Sequence, residues 1–353
     1  MSFSACRGDA NSKAGPDIAR PSPAGEFRSV RLGFSSLAPD TSGESYLRAF
    51  ATAAQYGDII LIQRTPPWEE FLTGGKISKQ TAQTTRLEVS LLDQYSHLQR
   101  FYAIDPTDGA VQRNRIANLP DAVNPTLGFA DPAIRRAFLN YTSYVVSNYH
   151  PDYLALGVEI NMFADRTQGQ FESFISLYKE AYTLAKGLRP GMKVFPTFQL
   201  EDLEGNLGAI HPPHWELLDQ FRGYMDVLAI SSYPYLADLG SAGELRADYF
   251  SQLKTRFPGD IMIAETAYPS APAEGARTLG TEEDQAIYLI RLLDDANKNG
   301  FLAVVWLAAL NPAAAGGSGS VLRDTGLRNA DGANKIAWGY WEDWIRRPLA
   351  PGR

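Results

Sequence analysis

Two glutamates end apolar stretches in this chain, and no other residues in it carry so clear a chemical signal. Tyr153-Leu154-Ala155-Leu156-Gly157-Val158 runs directly into Glu159, and Ile261-Met262-Ile263-Ala264 runs into Glu265. Apolar runs of this kind read as strands buried on both faces, as in a parallel sheet covered by helices. An ionised carboxylate at the end of such a strand is costly unless something pairs with it or uses it. Two of them on one rim could share an acid–base task. One would hold a proton for a departing oxygen while the other stayed ionised to attack the carbon it leaves, which is the equipment of glycosidic cleavage. Burial and mutual repulsion give such a pair different pKa values.

The elements that must hold them alternate regularly. Strand-like segments fall at 31–35, 59–63, 98–104, 153–159, 193–198, 226–234, 261–265 and 301–306. Helical periodicity falls between them at 46–56, 79–95, 131–149, 171–188, 242–256 and 282–299, with a closing helix at 334–345. Asp131-Pro132 predicts a capped helix start with proline in the first turn, and Thr281 with Asp284 predicts another. Eight strands alternating with helices give an α/β chain folded as a single (β/α)8 TIM barrel over 29–348. A flexible tail over 1–28 would precede it and a short tail over 349–353 would follow. An open doubly wound sheet is the alternative, but no glycine-rich phosphate turn follows the first strand. In a barrel the strand C-termini form the active face, so Glu159 on the fourth strand and Glu265 on the seventh belong to one rim.

Composition narrows the setting. Of the 353 residues, 44% are hydrophobic and 21% charged, as in globular proteins. A net charge of −7 with no run of Lys or Arg speaks against a nucleic-acid partner. The single cysteine, Cys6, leaves no internal disulfide framework, and no uninterrupted apolar stretch is long enough to span a membrane. Ser4-Ala5-Cys6 followed by polar residues resembles the end of a bacterial lipoprotein signal, which would put a lipid anchor at Cys6; a chance cysteine in a disordered tail is the other reading. The expected location is secreted, periplasmic or lipid-anchored in the envelope rather than cytoplasmic, and the expected state is a monomer.

Glutamates at the ends of strands four and seven resemble the hallmark of clan A glycoside hydrolases, the 4/7 superfamily. Within it, Gly157-Val158-Glu159-Ile160-Asn161, residues 226–234 (DVLAISSYP) and 264–270 (AETAYPS) look most like the arabinogalactan endo-β-1,4-galactanases. The resemblance implies a retaining glycoside hydrolase that acts on a β-linked oligo- or polysaccharide. Glu159 would be acid/base and Glu265 nucleophile; no cofactor and no metal are implied. Arg64 and Tyr233 resemble clan residues that steady the nucleophile, and Trp306 resembles the aromatic floor of the sugar subsite beside the cleaved bond. The clan usually has Asn directly before the acid/base, where this chain has Val158, so Asn161 is the substitute to consider. That departure also motivates the alternative of a carbohydrate-binding barrel lipoprotein without turnover.

Other residues carry plainer readings beside the functional one. Trp68, Tyr102, Phe163, Tyr235 and Tyr268 fall in or beside predicted rim loops, where aromatics stack on sugars but also pack. His211-Pro212-Pro213-His214 has a metal-like look, yet with no Cys or third His nearby it reads as a surface loop. Asp105, Asp108, Glu201, Asp202 and Glu204 read mostly as solvated loop acids.

Overall fold

The computed structural model describes residues 14–72, 77–108, 113–120, 123, 128–167, 169–208, 211–273, 275–278, 280–312 and 321–352. Cys6 lies outside them. Nine parallel strands form one sheet: β1 (Arg31–Ser35), β2 (Ile59–Arg64), β3 (Gln99–Ile104), β4 (Tyr153–Leu156), β5 (Lys193–Phe195), β6 (Thr197–Gln199), β7 (Val227–Ser232), β8 (Asp260–Thr266) and β9 (Ala303–Trp306). Their order is β5-β4-β3-β2-β1-β9-β8-β7-β6. The two ends of that order are consecutive in the chain, so the ring closes through one bent strand. The chain has the expected (β/α)8 barrel, with the fifth strand broken in two. Pro196 makes the break because it has no N–H to give to a ladder. β5 pairs with β4, and β6 pairs with β7.

Side chains alternate between two cores. Ile59, Leu61, Phe101, Ala155, Phe195, Met262 and Val305 fill the barrel interior. Ile60, Ile62, Leu154, Leu156, Ile263, Val304 and Trp306 face the helix layer. This period of two decides which residues can reach the cleft at all.

The helices start where their caps require. Asp131 Oδ1 accepts from Ala133 N at 2.7 Å and opens the helix Pro132–Tyr149; Thr281 accepts from Asp284 N at 3.0 Å and opens Glu282–Lys298. The expected helix at 242–256 is instead a 3-10 turn, Ala242–Glu244, and a single helical turn, Leu253–Arg256. Residues 14–28, despite their Pro and Ser content, lie against the barrel base. Arg28 is buried, bonds Asp58 Oδ2 at 2.7 Å, and bridges to Leu349 of the C-terminal segment. No helix among the described residues is long and apolar enough to cross a membrane.

Candidate active site

Glu159 leaves β4 through two special backbone positions. Gly157 has φ +122°, and a Cβ there would meet the Phe174 ring at 2.6 Å and Ile160 at 2.8 Å, so glycine is required. Glu159 itself is left-handed, with φ 49° and ψ 45°, and its N–H donates to Thr197 Oγ1 at 2.9 Å. A non-glycine residue held in that region is strain that the surroundings must enforce. Glu159 is 2% exposed. Oε1 accepts from Ser231 Oγ at 2.6 Å and Oε2 from Arg113 Nε at 2.7 Å.

Glu265 reaches the rim by a different device. Ile263 pairs with Ile230 on β7 and with Val304 on β9. Further on, Glu265 pairs with Ser231 and Thr266 with Trp306, so β8 carries one residue more than either neighbour between these points. That is a β-bulge, which leaves Ala264 and Glu265 opposite one inward position. Strict alternation would have sent Glu265 into the helix layer after inward Ala264. Instead it pairs with inward Ser231, while Thr266 Oγ1 turns out to the Tyr288 hydroxyl at 2.6 Å. The Tyr233 hydroxyl donates to Glu265 Oε1. Burial, reinforced by the Glu159 charge, pushes the Glu265 carboxyl up to about 7, against the opposing help of Tyr233 and Arg113.

Ser231 therefore links the two acids: its hydroxyl touches Glu159 and its Cα is the ladder partner of Glu265. Arg113, 2% exposed, closes the constellation. It comes from the long connection after β3, and its Nη1 also bonds Asp105 Oδ1 at 2.9 Å and Thr107 Oγ1 at 2.9 Å. Burial opposes its charge, but Asp105 and Glu159 outweigh burial and raise its pKa. Glu201 supports the other side. It is buried and accepts from Ser232 Oγ at 2.8 Å, from Tyr233 N at 3.1 Å and from the Tyr249 hydroxyl, which anchors the backbone that aims Tyr233. Burial pushes Glu201 up to about 7 as well. Asp105, Glu201, Asp202 and Glu204 are all buried, so their reading as solvated acids is overturned. Irregular segments give no periodicity from which burial could be read, and the same holds for Arg113.

The other expected site residues divide sharply. Tyr233 lies against Glu265 through its hydroxyl. Arg64 is on the outward side of β2 and pairs with buried Glu88 of the helix Lys79–Gln94, away from both rim carboxylates. The inward neighbour Gln63 bonds Asp105 Oδ2 at 3.1 Å instead. Trp306 is fully buried in the helix layer and its Nε1 donates to Thr325 O at 2.8 Å. Tyr102 also faces the helix layer, bonded to the Tyr141 hydroxyl at 2.8 Å. Trp68 is buried and donates to Ala117 O at 2.7 Å. Tyr235 and Tyr268 pack edge to face on one another, the first also against Tyr233. Asn161 is fully buried and bonded to Gln199 and Asp202 Oδ2, so its amide is spent within the fold. Val158 lies in the barrel interior, which leaves an apolar side chain where the resemblance implies an amide.

Two depressions open beside Glu159. One, of 260 Å³, is lined by Glu159, Met162, Gln199, Leu207, Gly208 and Tyr233 among others. The other, of 650 Å³, is lined by Gln63, Asp105, Arg113, Asn118 and Phe163 among others. Glu159 itself lines the first, and its partner Arg113 lines the second.

No protein-family model matches the chain, and no curated protein matches it in sequence. Solved structures do match it in shape. It is similar to an exo-beta-1,4-mannosidase from Opitutaceae bacterium strain TAV5, with a TM-score of 0.67 and 13% identity, over 95% of this chain and 62% of that one. It is similar to the GH53 catalytic domain of Ignisphaera aggregans, with a TM-score of 0.61 and 16% identity, over 95% of this chain and 100% of that one. Fungal beta-1,4-galactanases align with a TM-score of 0.54 and 13% identity, over 90% of this chain and 97% of theirs. The fold is thus the TIM barrel that these glycosidase structures share.

Proposed function

We propose that the chain hydrolyses a β-1,4-linked oligo- or polysaccharide with retention, Glu159 serving as acid/base and Glu265 as nucleophile. The observation that carries this reading is Ser231, whose hydroxyl holds Glu159 while its backbone pairs with Glu265, so both carboxylates serve one cleft. The chemistry needs one proton shared between them. Glu265, pushed up to about 7, holds that proton in the free site, where Arg113 Nε bonds Glu159. Catalysis needs the reverse arrangement. Arg113 has Asp105 as a second partner, so a sugar that displaces its Nε contact leaves it paired and frees Glu159 to take the proton. Tyr233 then holds the ionised Glu265. A galactan-type substrate follows from the resemblance of the three rim stretches; the mannosidase likeness makes β-mannans the second polymer to try.

The Arg113–Glu159 pair and apolar Val158 also support a second reading, a barrel that binds glycans without cutting them. A panel of β-1,4-galactan, β-mannan and β-glucan oligosaccharides separates the two. The hydrolase reading expects new reducing ends from wild type and none from Glu265→Gln. Azide should rescue the Glu159→Ala variant as the β-glycosyl azide and a Glu265→Ala variant as the α-anomer. Tight binding by wild type with no cleavage of its best ligand would establish the binder.

A further inference from the structure

The buried acid Asp202 and the two histidines of the His-Pro-Pro-His stretch meet beside the cleft. Asp202 lies in the short helical turn Leu200–Leu203 after β6 and is 1% exposed; His214 is buried and His211 half-buried. His214 Nε2 stands 3.2 Å from Asp202 Oδ2, and His211 Nε2 stands 3.4 Å from Oδ1. The three ligand-type atoms lie within 4.8 Å of one another. The expectation of a plain surface loop is therefore corrected: the third group that sequence spacing lacked comes from the barrel rim.

Hydrogen-bond polarity points to a cation. His211 Nδ1 is 2.8 Å from the carbonyl oxygen of Pro212, which can only accept, so Nδ1 carries a proton. A neutral ring then turns the lone pair of Nε2 towards a carboxylate oxygen. That juxtaposition needs a positive charge between them, either a second ring proton or a metal ion. An outer hydrogen bond from the far ring nitrogen to a carbonyl is how ligating histidines are oriented. Asn161 Nδ2 likewise donates to Asp202 Oδ2 at 2.7 Å and orients the carboxylate.

We propose that Asp202, His211 and His214 bind one divalent transition-metal ion of the zinc type. Two imidazoles and a carboxylate suit zinc rather than magnesium or calcium, which prefer all-oxygen sites. The loop is built to present them. Gly205, at φ +70°, lets the backbone of His211 and Pro213 come so close that a Cβ there would meet His211 O at 2.6 Å, and His214 N donates to Leu203 O at 3.0 Å. The two prolines restrict the backbone between the ligands. Leu207 and Gly208 of the same loop line the 260 Å³ depression at Glu159, so the ion would pin one wall of the cleft. The inference stands apart from sugar cleavage and survives if no glycan is cut.

The test uses the full chain in a Cys6→Ser background, stripped with chelator and titrated with zinc chloride by calorimetry and by competition with a chromophoric chelator. One zinc per chain is expected. Because partners of ligands alone are worth 10–100-fold, His211→Ala should lose at least ~100-fold in affinity. His214→Ala should lose as much, while Glu265→Gln should bind as wild type does. Far-UV circular dichroism checks that His211→Ala is folded. Zinc should raise the melting temperature of wild type and leave that of His211→Ala unchanged. Binding well below one equivalent at micromolar zinc would overturn the proposal and leave an imidazolium–carboxylate cluster. So would wild-type affinity in a folded His211→Ala chain.

Discussion

Replacing Glu265 by glutamine should change how stability depends on pH, and it needs no substrate to be read. Burial beside Glu159 raises the Glu265 carboxyl from 4.5 to about 7 in the folded chain. The folded state then binds this proton more tightly than the unfolded state does. Stability rises with pH only where the unfolded state holds more protons, so here it must fall as pH rises from about 4.5 to about 7. Raising a carboxyl from 4.5 to about 7 corresponds to about 3.4 kcal/mol. Glu265 is only half-buried, so solvent at the cleft screens part of this, and about 2 kcal/mol is the expected loss. Urea unfolding followed by tryptophan fluorescence at pH 4.5, 6 and 7.5 measures it. The stability of wild type minus that of Glu265→Gln should drop by about 2 kcal/mol across the series. Glu201 has a similar upward shift, but it is present in both chains and cancels. A difference that stays flat, or grows with pH, would mean that Tyr233 and Arg113 keep Glu265 ionised, and the reasoning about the shared proton would be wrong.

Arg113→Met should cost about 3–5 kcal/mol, because Asp105 and Glu159 lose their buried counterion. Thermal melting checks this, and an unchanged melt would show that the arginine does not stabilise the two carboxylates. Trp306→Phe should leave glycan affinity unchanged and cost about 1–3 kcal/mol, since it strands the Thr325 carbonyl and shrinks a fully buried ring. Weakened binding with an unchanged melt would place that ring in the cleft.

The barrel was legible because its evidence is local. Apolar strand runs, helical periodicity and the caps at Asp131 and Thr281 each occupy a few consecutive residues, and their alternation implies a parallel sheet wrapped by helices. The two rim glutamates were legible for the same reason: each ends its own strand. Facing is a different matter. A strand gives every second residue to each side, and which set is inward depends on pairing with neighbours that are distant in sequence. Arg64 and Trp306 end the right strands but belong to the outward set, so they serve the helix layer. Glu265 would have gone with them had the bulge at Ala264 not turned it in, and Glu159 depends on the strained turn after Gly157. The place of Arg113 and the meeting of Asp202 with His211 and His214 could not be read, because these segments come together only when the barrel closes. Sequence alone determined the architecture and which ends of it carry acid. Tertiary structure alone decided which side chains face one another, because that rests on register, bulges and loop approach, each set by contacts far along the chain.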